Sequence, residues 1–408
     1  MERFVVTFDT TDPEMLDRVA PGLLSAQGFS TDIYFPRLGV GVVDGEPGDL
    51  EAFSGRCRDR RAPMSYSREL TYYAIGATPA DRSTGDPTVD PRADALAVDP
   101  GAVDPRAVTD GAIAAEYADT AALTWGLQAV EIGRAQDRGL TGAGVRVAVL
   151  DTGFDAGHPD FAGRNVTAES FITGEGPEDV HGHGTHCVGT ACGPWTSPSG
   201  PGFGVASEVE IFSAKVLGAD GSGSDASILA GIDWALANGC QIISMSLGAD
   251  VREVHPPYVT AGRRALEQGA VLIAAAGNNA GRRASDPGFV GAPANSPYVM
   301  AVAALDAGLR VADFSARSLA HDGGEVDIAA PGVDIYSSWP RPELHRSISG
   351  TSMAAPHVSG VAALLSASTG LRGQDLWDEL IRTARLLEGA EVEDVGAGLA
   401  VVTPGEGR

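Results

Sequence analysis

The chain has 408 residues, enough for two or three domains, and 43% hydrophobic with 20% charged residues is the balance of a globular protein. A formal net charge of -25 speaks against a nucleic-acid partner, because phosphate contacts need a basic face. No run of 18 or more apolar residues is present, so no membrane-spanning helix is predicted.

The first 77 residues read as a small α+β unit. Residues 5–8 are an apolar strand, and 13–27 carry apolar residues at helical spacing with Thr11 or Asp12 as N-cap. Strands follow at 33–35 and 38–43, joined at Pro36-Arg37. A short helix is predicted over 50–57, and the β-prone run ELTYYAI at 69–75 completes the order β-α-β-β-α-β. Residues 78–118 differ in kind. Pro, Asp and Ala dominate, and an imperfect repeat begins at Val89, Val98 and Val103. No apolar face can form there, which predicts a flexible linker. In residues 119–408, strands and helices alternate. Buried strands are predicted at 145–150, 242–245 and 270–276, with an amphipathic helix at 227–238. A long helix of small and apolar residues covers 351–367, and a last helix covers 374–387. This alternation predicts βαβ units and a parallel sheet.

Cys57, Cys187, Cys192 and Cys240 are the only cysteines. Cys187 and Cys192 fall on different faces of one predicted helix, too splayed for a bridge, so free thiols are expected. Lys215 is the single lysine among the basic residues. An acidic, lysine-poor surface fits a high-salt habitat, and GC-rich codon usage gives the same bias. The start, MERFVVTFDTTDPE, has neither the long apolar stretch nor the cleavage signal of a secretory leader. That reads as cytoplasmic if Met1 is the natural start, with secretion as the alternative.

Three short segments carry chemistry. Asp151 directly follows a buried strand, in Asp151-Thr152-Gly153, where the carboxyl end of a parallel strand opens. Alone, such a run is an ordinary turn. His183 lies in His181-Gly182-His183-Gly184-Thr185-His186, which gathers three of the eight histidines. A metal site competes there, weakened by the lack of a carboxylate or cysteine pattern at ligand spacing. Gly182 and Gly184 leave the His183 imidazole open, as a general base requires. Ser352 lies in Gly350-Thr351-Ser352-Met353-Ala354-Ala355-Pro356, at the start of the long helix. Serine at such a position is usually a cap. The same position places free N–H groups and a partial positive charge beside a nucleophile.

Together, Asp151-Thr-Gly, His183-Gly-Thr-His and Gly350-Thr-Ser-Met-Ala-Ala-Pro-His resemble the signatures of the subtilisin-like (S8) serine proteases, in the same chain order. The resemblance covers roughly residues 125–365. It implies a three-layer α/β/α fold with a mostly parallel sheet, and Asp151, His183 and Ser352 as a catalytic triad. Asn278, in Ala274-Ala-Ala-Gly-Asn278, would be the oxyanion donor. Gly221, Ser222 and Gly223 on one side, and Ser246, Leu247 and Gly248 on the other, resemble the two edges between which an extended substrate adds as a strand. A pocket of small residues, Ser246 to Gly248, Ala275 to Gly277 and Gly291, implies preference for a large apolar side chain before the cleaved bond. Asn279 stands where some relatives carry an acid, which implies weak preference for a basic residue there.

The chemistry requires no cofactor. Asp160, in His158-Pro-Asp-Phe161, matches a ligand of the family's strong calcium site, so structural calcium is an expectation, although the run 193–202 lacks the other ligands' pattern. Residues 1–77 are similar to the family's ferredoxin-like propeptide (the I9 inhibitor type). The expected partners are therefore protein or peptide substrates and the chain's own N-terminal unit as intramolecular inhibitor, with cleavage between 74 and 124. Cys187 after His186 is similar to the proteinase K-like branch. A non-catalytic protein that kept the cleft, and a processing protease for one precursor, are the competing functions.

Overall fold

Apolar runs dictate where the centre of the molecule lies. Residues 147–150, 242–245, 271–275 and 300–305 are buried without interruption, which suits parallel strands covered on both faces. In the computed structural model, which describes residues 2–10, 12, 14–26, 29–59, 64–75, 116–197, 200–319 and 324–402, they lie in one seven-stranded sheet. Its order is Ile328–Pro331, Met300–Leu305, Val271–Ala275, Ile242–Met245, Arg146–Asp151, Glu210–Lys215, Val166–Ser170, and every pairing is parallel. The order reverses about Arg146–Asp151. The next two strands of the sheet in sequence lie on one side of it, and the remaining four lie on the other. Such a switch point opens a crevice at the carboxyl ends of the strands, and Asp151 is the last residue of the strand there.

The helix Thr351–Thr369 is buried from Thr351 to Ser366, as a helix enclosed on all sides must be. It packs on the strands from Ile242–Met245 to Ile328–Pro331 and on the helix His183–Cys192. Small residues permit that approach: a Cβ on Gly360 would stand 2.4 Å from Val205 Cβ and 3.0 Å from the Ala191 carbonyl oxygen. Asp225–Ala237 packs against Glu210–Lys215, and Pro256–Glu267 against Val271–Ala275. The result is the expected three-layer α/β/α architecture with a mostly parallel sheet. All four cysteines are free and buried. Among the described residues, no helix is long and apolar enough to cross a membrane.

The N-terminal residues build a second, antiparallel sheet in the order Ser30–Phe35, Val40–Gly45, Glu2–Phe8, Met64–Arg68. It has its own core of Phe4, Val6, Phe8, Leu16, Leu24, Leu50 and Phe53. The first helix opens with a π-helical turn, Met15–Val19, before Ala20–Ala26. Pro21 withholds the N–H that the residue 17 carbonyl would accept. Thr11, one of the two expected caps, lies outside the described residues, while Asp12 Oδ1 accepts from Glu14 N at 3.0 Å. The expected final strand at 69–75 requires correction. The strand completing this sheet is Met64–Arg68, whose only buried residue is Met64, so periodicity does not reveal it. Thr71–Ala74 is a separate strand in another sheet. The predicted linker at 78–118 lies outside the described residues up to 115; Tyr117 is docked through its N–H on the Ala307 carbonyl at 3.0 Å.

On helix propensity alone, Gly360→Ala would stabilise an exposed helix by about 1 kcal/mol. Here the added methyl meets Val205 and the neighbouring helix, so net destabilisation of about 1–3 kcal/mol is expected. Urea unfolding measures it, and equal or greater stability would show that the helices have room to separate.

Candidate active site

The crevice is organised by one buried carboxylate, Asp179. Its Oδ1 accepts from Thr152 Oγ1 at 2.9 Å, His181 N at 3.0 Å and Gly182 N at 2.8 Å. Its Oδ2 accepts from Thr185 N at 2.8 Å and Thr185 Oγ1 at 2.7 Å. Asp179 thus satisfies N–H groups at the start of the helix His183–Cys192, where an anion is also favoured by the helix dipole. Through Thr152 it ties that helix to the strand ending at Asp151. The Thr152 hydroxyl in turn accepts from Gly184 N at 2.8 Å. Gly184 admits no side chain, since a Cβ would stand 2.2 Å from the Gly153 carbonyl oxygen.

This packing brings His183 Nδ1 to 2.8 Å from Asp151 Oδ1, to which it donates, and Thr152 N donates to the same oxygen at 2.8 Å. Both side chains are buried. Burial is the largest single influence and disfavours the imidazolium, but the Asp151 charge, its hydrogen bond and the neighbouring Cys187 together outweigh it and hold the His183 pKa well above 6.5. The outward nitrogen, His183 Nε2, is buried and has no hydrogen-bond partner. Lys215 lies opposite Asp151 in register and is 1% exposed. Its ammonium donates to the Thr152 carbonyl at 2.7 Å and pairs with Glu175 at 3.2 Å, so the buried charge is compensated and braces the same loop.

Ser352 is the second residue of the helix Thr351–Thr369. Its Oγ donates to the Ser246 carbonyl at 3.0 Å, so the structure joins Asp151 to His183, while His183 Nε2 has no hydrogen bond from the serine. Pro356 explains the second half of this arrangement. Lacking an N–H, it leaves the Ser352 carbonyl without its helical donor. That carbonyl accepts instead from Ser246 Oγ at 2.7 Å and from Cys187 Sγ at 3.6 Å. Cys187 also lies 3.8 Å from His183 Nδ1, and burial followed by the Asp151 charge pushes its thiol up to about 11, so it stays protonated.

Asn278 follows the strand Val271–Ala275. Its Oδ1 accepts from Thr351 N and Thr351 Oγ1, both at 2.9 Å, which aims the amide nitrogen outward. Nδ2 donates to the carbonyl of Ile75 at 3.1 Å. Thr71–Ala74 runs antiparallel between Ser222–Ser224 and Leu247–Gly248. Tyr73 is opposite Ser222 and Gly248, Tyr72 opposite Gly223, and Ala74 opposite Leu247, while Ala74 N donates to the Gly221 carbonyl at 2.9 Å. The two expected edges therefore hold an extended segment of this same chain. A Cβ on Gly248 would meet Ile75 Cδ1 at 2.7 Å, which places the Ile75 side chain against that glycine. Ala275 ends its strand opposite Val302, Gly277 N donates to Thr351 Oγ1 at 3.2 Å, and Gly291 N donates to the Ala276 carbonyl at 3.1 Å.

The surroundings of Asp160 do not fit calcium, which takes six to eight oxygen ligands. Asp160 Oδ1 accepts from Ser197 Oγ at 3.0 Å and Oδ2 from His345 Nε2 at 2.7 Å. His158 is adjacent, with its ring centroid 5.5 Å from that of His345. Residues 198–199, within the run expected to carry other ligands, lie outside the described residues.

Residues 142–398, more than half of the chain, match the subtilase family model (peptidase S8). The chain belongs to the subtilase family. It is 42% identical over 245 residues to M-protease of Shouchella clausii (strain KSM-K16), covering 59% of each chain. It is 41% identical over 245 residues to Subtilisin Savinase of Lederbergia lenta, covering 59% of this chain and 83% of that one. Thermostable alkaline protease of Halalkalibacterium halodurans is 42% identical over 252 residues, 62% of this chain and 64% of the relative. The match thus spans less than two thirds of the first and third of these relatives.

Sequence reasoning missed Asp179, Thr152, Thr351 and Ile75. Asp179 had a usable signal: an aspartate a few residues before a predicted helix is a favoured cap. The rest depend on pairings between segments far apart in sequence.

The His183 imidazole is expected to titrate above 6.5 when followed by NMR. Asp151→Asn removes the charge and leaves the burial, so the midpoint should fall. An unchanged midpoint would show that Asp151 does not set it.

Proposed function

We propose that this subtilase is a serine endopeptidase acting through an acyl-enzyme on Ser352, and that its own N-terminal segment is its first substrate. The observation that carries the reading is the Ile75 carbonyl on Asn278 Nδ2, at the end of a strand laid between both edges. An extended peptide in that register puts the bond after residue 75 beside Ser352, within the expected window of 74 to 124.

In this reading the Ser352 hydroxyl swings from the Ser246 carbonyl toward His183. Oγ attacks the carbonyl carbon while His183 Nε2 takes the proton. Asp151 keeps Nδ1 protonated and stabilises the imidazolium. The oxyanion receives the Asn278 amide and the Ser352 backbone N–H, one of the unpaired donors of a helix N-terminus. His183 then returns the proton to the leaving amine as the C–N bond breaks. A water, deprotonated by the same nitrogen, releases the acyl group and restores the serine. No cofactor enters these steps, and calcium is not assigned to Asp160, because His345 already faces its carboxylate.

Ile75 supports an apolar residue before the cleaved bond, in a pocket bordered by Gly248. After cleavage the N-terminal unit is held as an inhibitor by the paired strand and by its rim. Glu69 Oε1 accepts from Ala226 N at 3.2 Å at the start of the helix Asp225–Ala237. Arg263 pairs with Asp9 at 2.6 Å and Arg37 with Asp233 at 3.3 Å. Such exposed pairs contribute roughly 0–1 kcal/mol each, so the buried strand dominates retention.

Purified wild-type chain is expected to yield a new N-terminus at Gly76, whereas Ser352→Ala stays intact at 41.8 kDa. N-terminal sequencing with intact mass reads this. Processing of purified Ser352→Ala at the same bond would overturn it. Asn278→Ala should lower kcat by about 10²–10³, the usual size for one oxyanion donor.

A further inference from the structure

Asp160 lies where two segments that lead to the triad meet. It belongs to the single turn Pro159–Phe161, in the loop after the strand ending at Asp151. Its carboxylate faces His345, the first residue of the strand His345–Ile348, which runs on toward Ser352. His158 completes the group: one ligand atom each from His158, Asp160 and His345 lie within 4.8 Å of one another. All three are enclosed, with His158 1% exposed and the side chains of Asp160 and His345 1% and 9% exposed.

The three side chains are aimed from outside the cluster. The Leu344 carbonyl can only accept, so His158 Nε2, 2.7 Å away, carries the proton and Nδ1 keeps its lone pair toward Asp160. A histidine whose outer N–H is held by a backbone carbonyl has the orientation of a metal ligand. Leu344 presents that carbonyl at φ 71°, a left-handed conformation that bulky residues rarely take. Ser197 Oγ donates to Asp160 Oδ1 at 3.0 Å, while Oδ2 faces His345 Nε2 at 2.7 Å. Tyr336 stacks on the His345 ring with centroids 5.1 Å apart at 16°, and Phe203 meets it edge-on at 5.7 Å. Burial, then the charges of Asp160 and Asp119, push the Tyr336 phenol above its ordinary value, so the surroundings favour a cation. The contact an ion would displace at His158 is long: Nδ1 accepts from Asp160 N at 3.2 Å.

Two imidazoles and one carboxylate oxygen are too few and too nitrogen-rich for calcium, and they suit zinc, which takes three such ligands and a water. Zinc bonds of about 2.0–2.2 Å put donors on one ion roughly 3–4 Å apart, so closing from 4.8 Å needs only small side-chain shifts. We propose that His158 Nδ1, Asp160 Oδ2 and His345 Nε2 bind a zinc ion that clips the loop after Asp151 to the hairpin before Ser352. As the ion takes the His345 Nε2 lone pair, the proton there passes to Nδ1 or to solvent. The site is independent of the peptide register proposed above.

The test titrates zinc into the full-length Ser352→Ala chain, stripped of metal with a chelator, so that self-cleavage does not intervene. Calorimetry is expected to show one ion per chain. Zinc at about 100-fold over its dissociation constant should raise the thermal midpoint by about 3 °C or more. His345→Gln and Asp160→Asn should each weaken binding about 10-fold or more. Cobalt in place of zinc should give a tetrahedral spectrum without a thiolate charge-transfer band. Such a band would put the ion on Asp151, His183 and Cys187, the other set of ligand atoms within 4.8 Å, and would overturn the site. Absence of zinc binding, or an affinity unchanged in His345→Gln, overturns it as well, and so does a midpoint raised by calcium and not by zinc. Should Asp160→Asn fail to fold, His345→Gln decides, because its strand is partly exposed.

Discussion

The site depends on holding a helix end-on against the carboxyl edge of a parallel sheet. A helix N-terminus has unpaired N–H groups, and a strand end has a loop that must turn away; neither is fixed by the apolar core beneath. Asp179 meets both needs with one carboxylate. It takes N–H groups of the helix His183–Cys192 and the hydroxyl of Thr152, which follows Asp151. Gly184 and Gly153 then touch backbone to backbone. The 2.8 Å contact between Asp151 and His183 is therefore a consequence of how two elements are clamped. Lys215 braces the loop from below, which gives the only lysine of the chain a buried structural place.

The serine side is built by a different constraint. Pro356 removes one helical hydrogen bond, and the liberated Ser352 carbonyl becomes an anchor for Ser246 and Cys187. Ser246 both donates to that carbonyl and accepts from Ser352 Oγ, so the segment beside the extended strand is tied to the helix that presents the hydroxyl. Asn278 is fixed from the third direction by two bonds from Thr351. Three segments far apart in sequence meet at residues 351 and 352, and each is held by backbone groups that the helix N-terminus or the proline left free.

Much of this was legible in the sequence because it is local. The strand at 242–245 has the predicted bounds, and the long helix begins at Thr351 as expected, since small and apolar residues mark it. Short motifs single out Asp151, His183, Ser352 and Asn278, and the family resemblance singles out Gly221 to Gly223 and Ser246 to Gly248, the segments that here flank Thr71–Ala74. What was misread is the stretch from 64 to 75. Met64–Arg68 is an edge strand with one buried side chain, so alternation gave no signal, while Thr71–Ala74 is β-prone for a partner elsewhere. Composition cannot say which sheet a strand joins; pairing with residues about 150 positions later decides it. Asp160 matches a calcium-ligand motif by sequence, while the residue that meets its carboxylate, His345, comes from a distant hairpin that the motif does not reveal.

That division at residues 68 to 71 also explains how one segment can be both restrained and presented. The antiparallel sheet ends at Arg68, and the next strand begins at Thr71, so only Glu69 and Leu70 separate the folded unit from the cleft. Glu69 takes a helix N-terminal N–H and Leu70 donates to Asp225, so the short joint is itself docked. A joint this short gives the strand a high effective concentration at the two edges without a long entropy cost. It also fixes the register: with Tyr72 buried against Tyr258, the strand cannot slip by one residue without turning that ring to the exposed face that Tyr73 now occupies. The carbonyl that reaches Asn278 is therefore set by the buried ring three residues earlier.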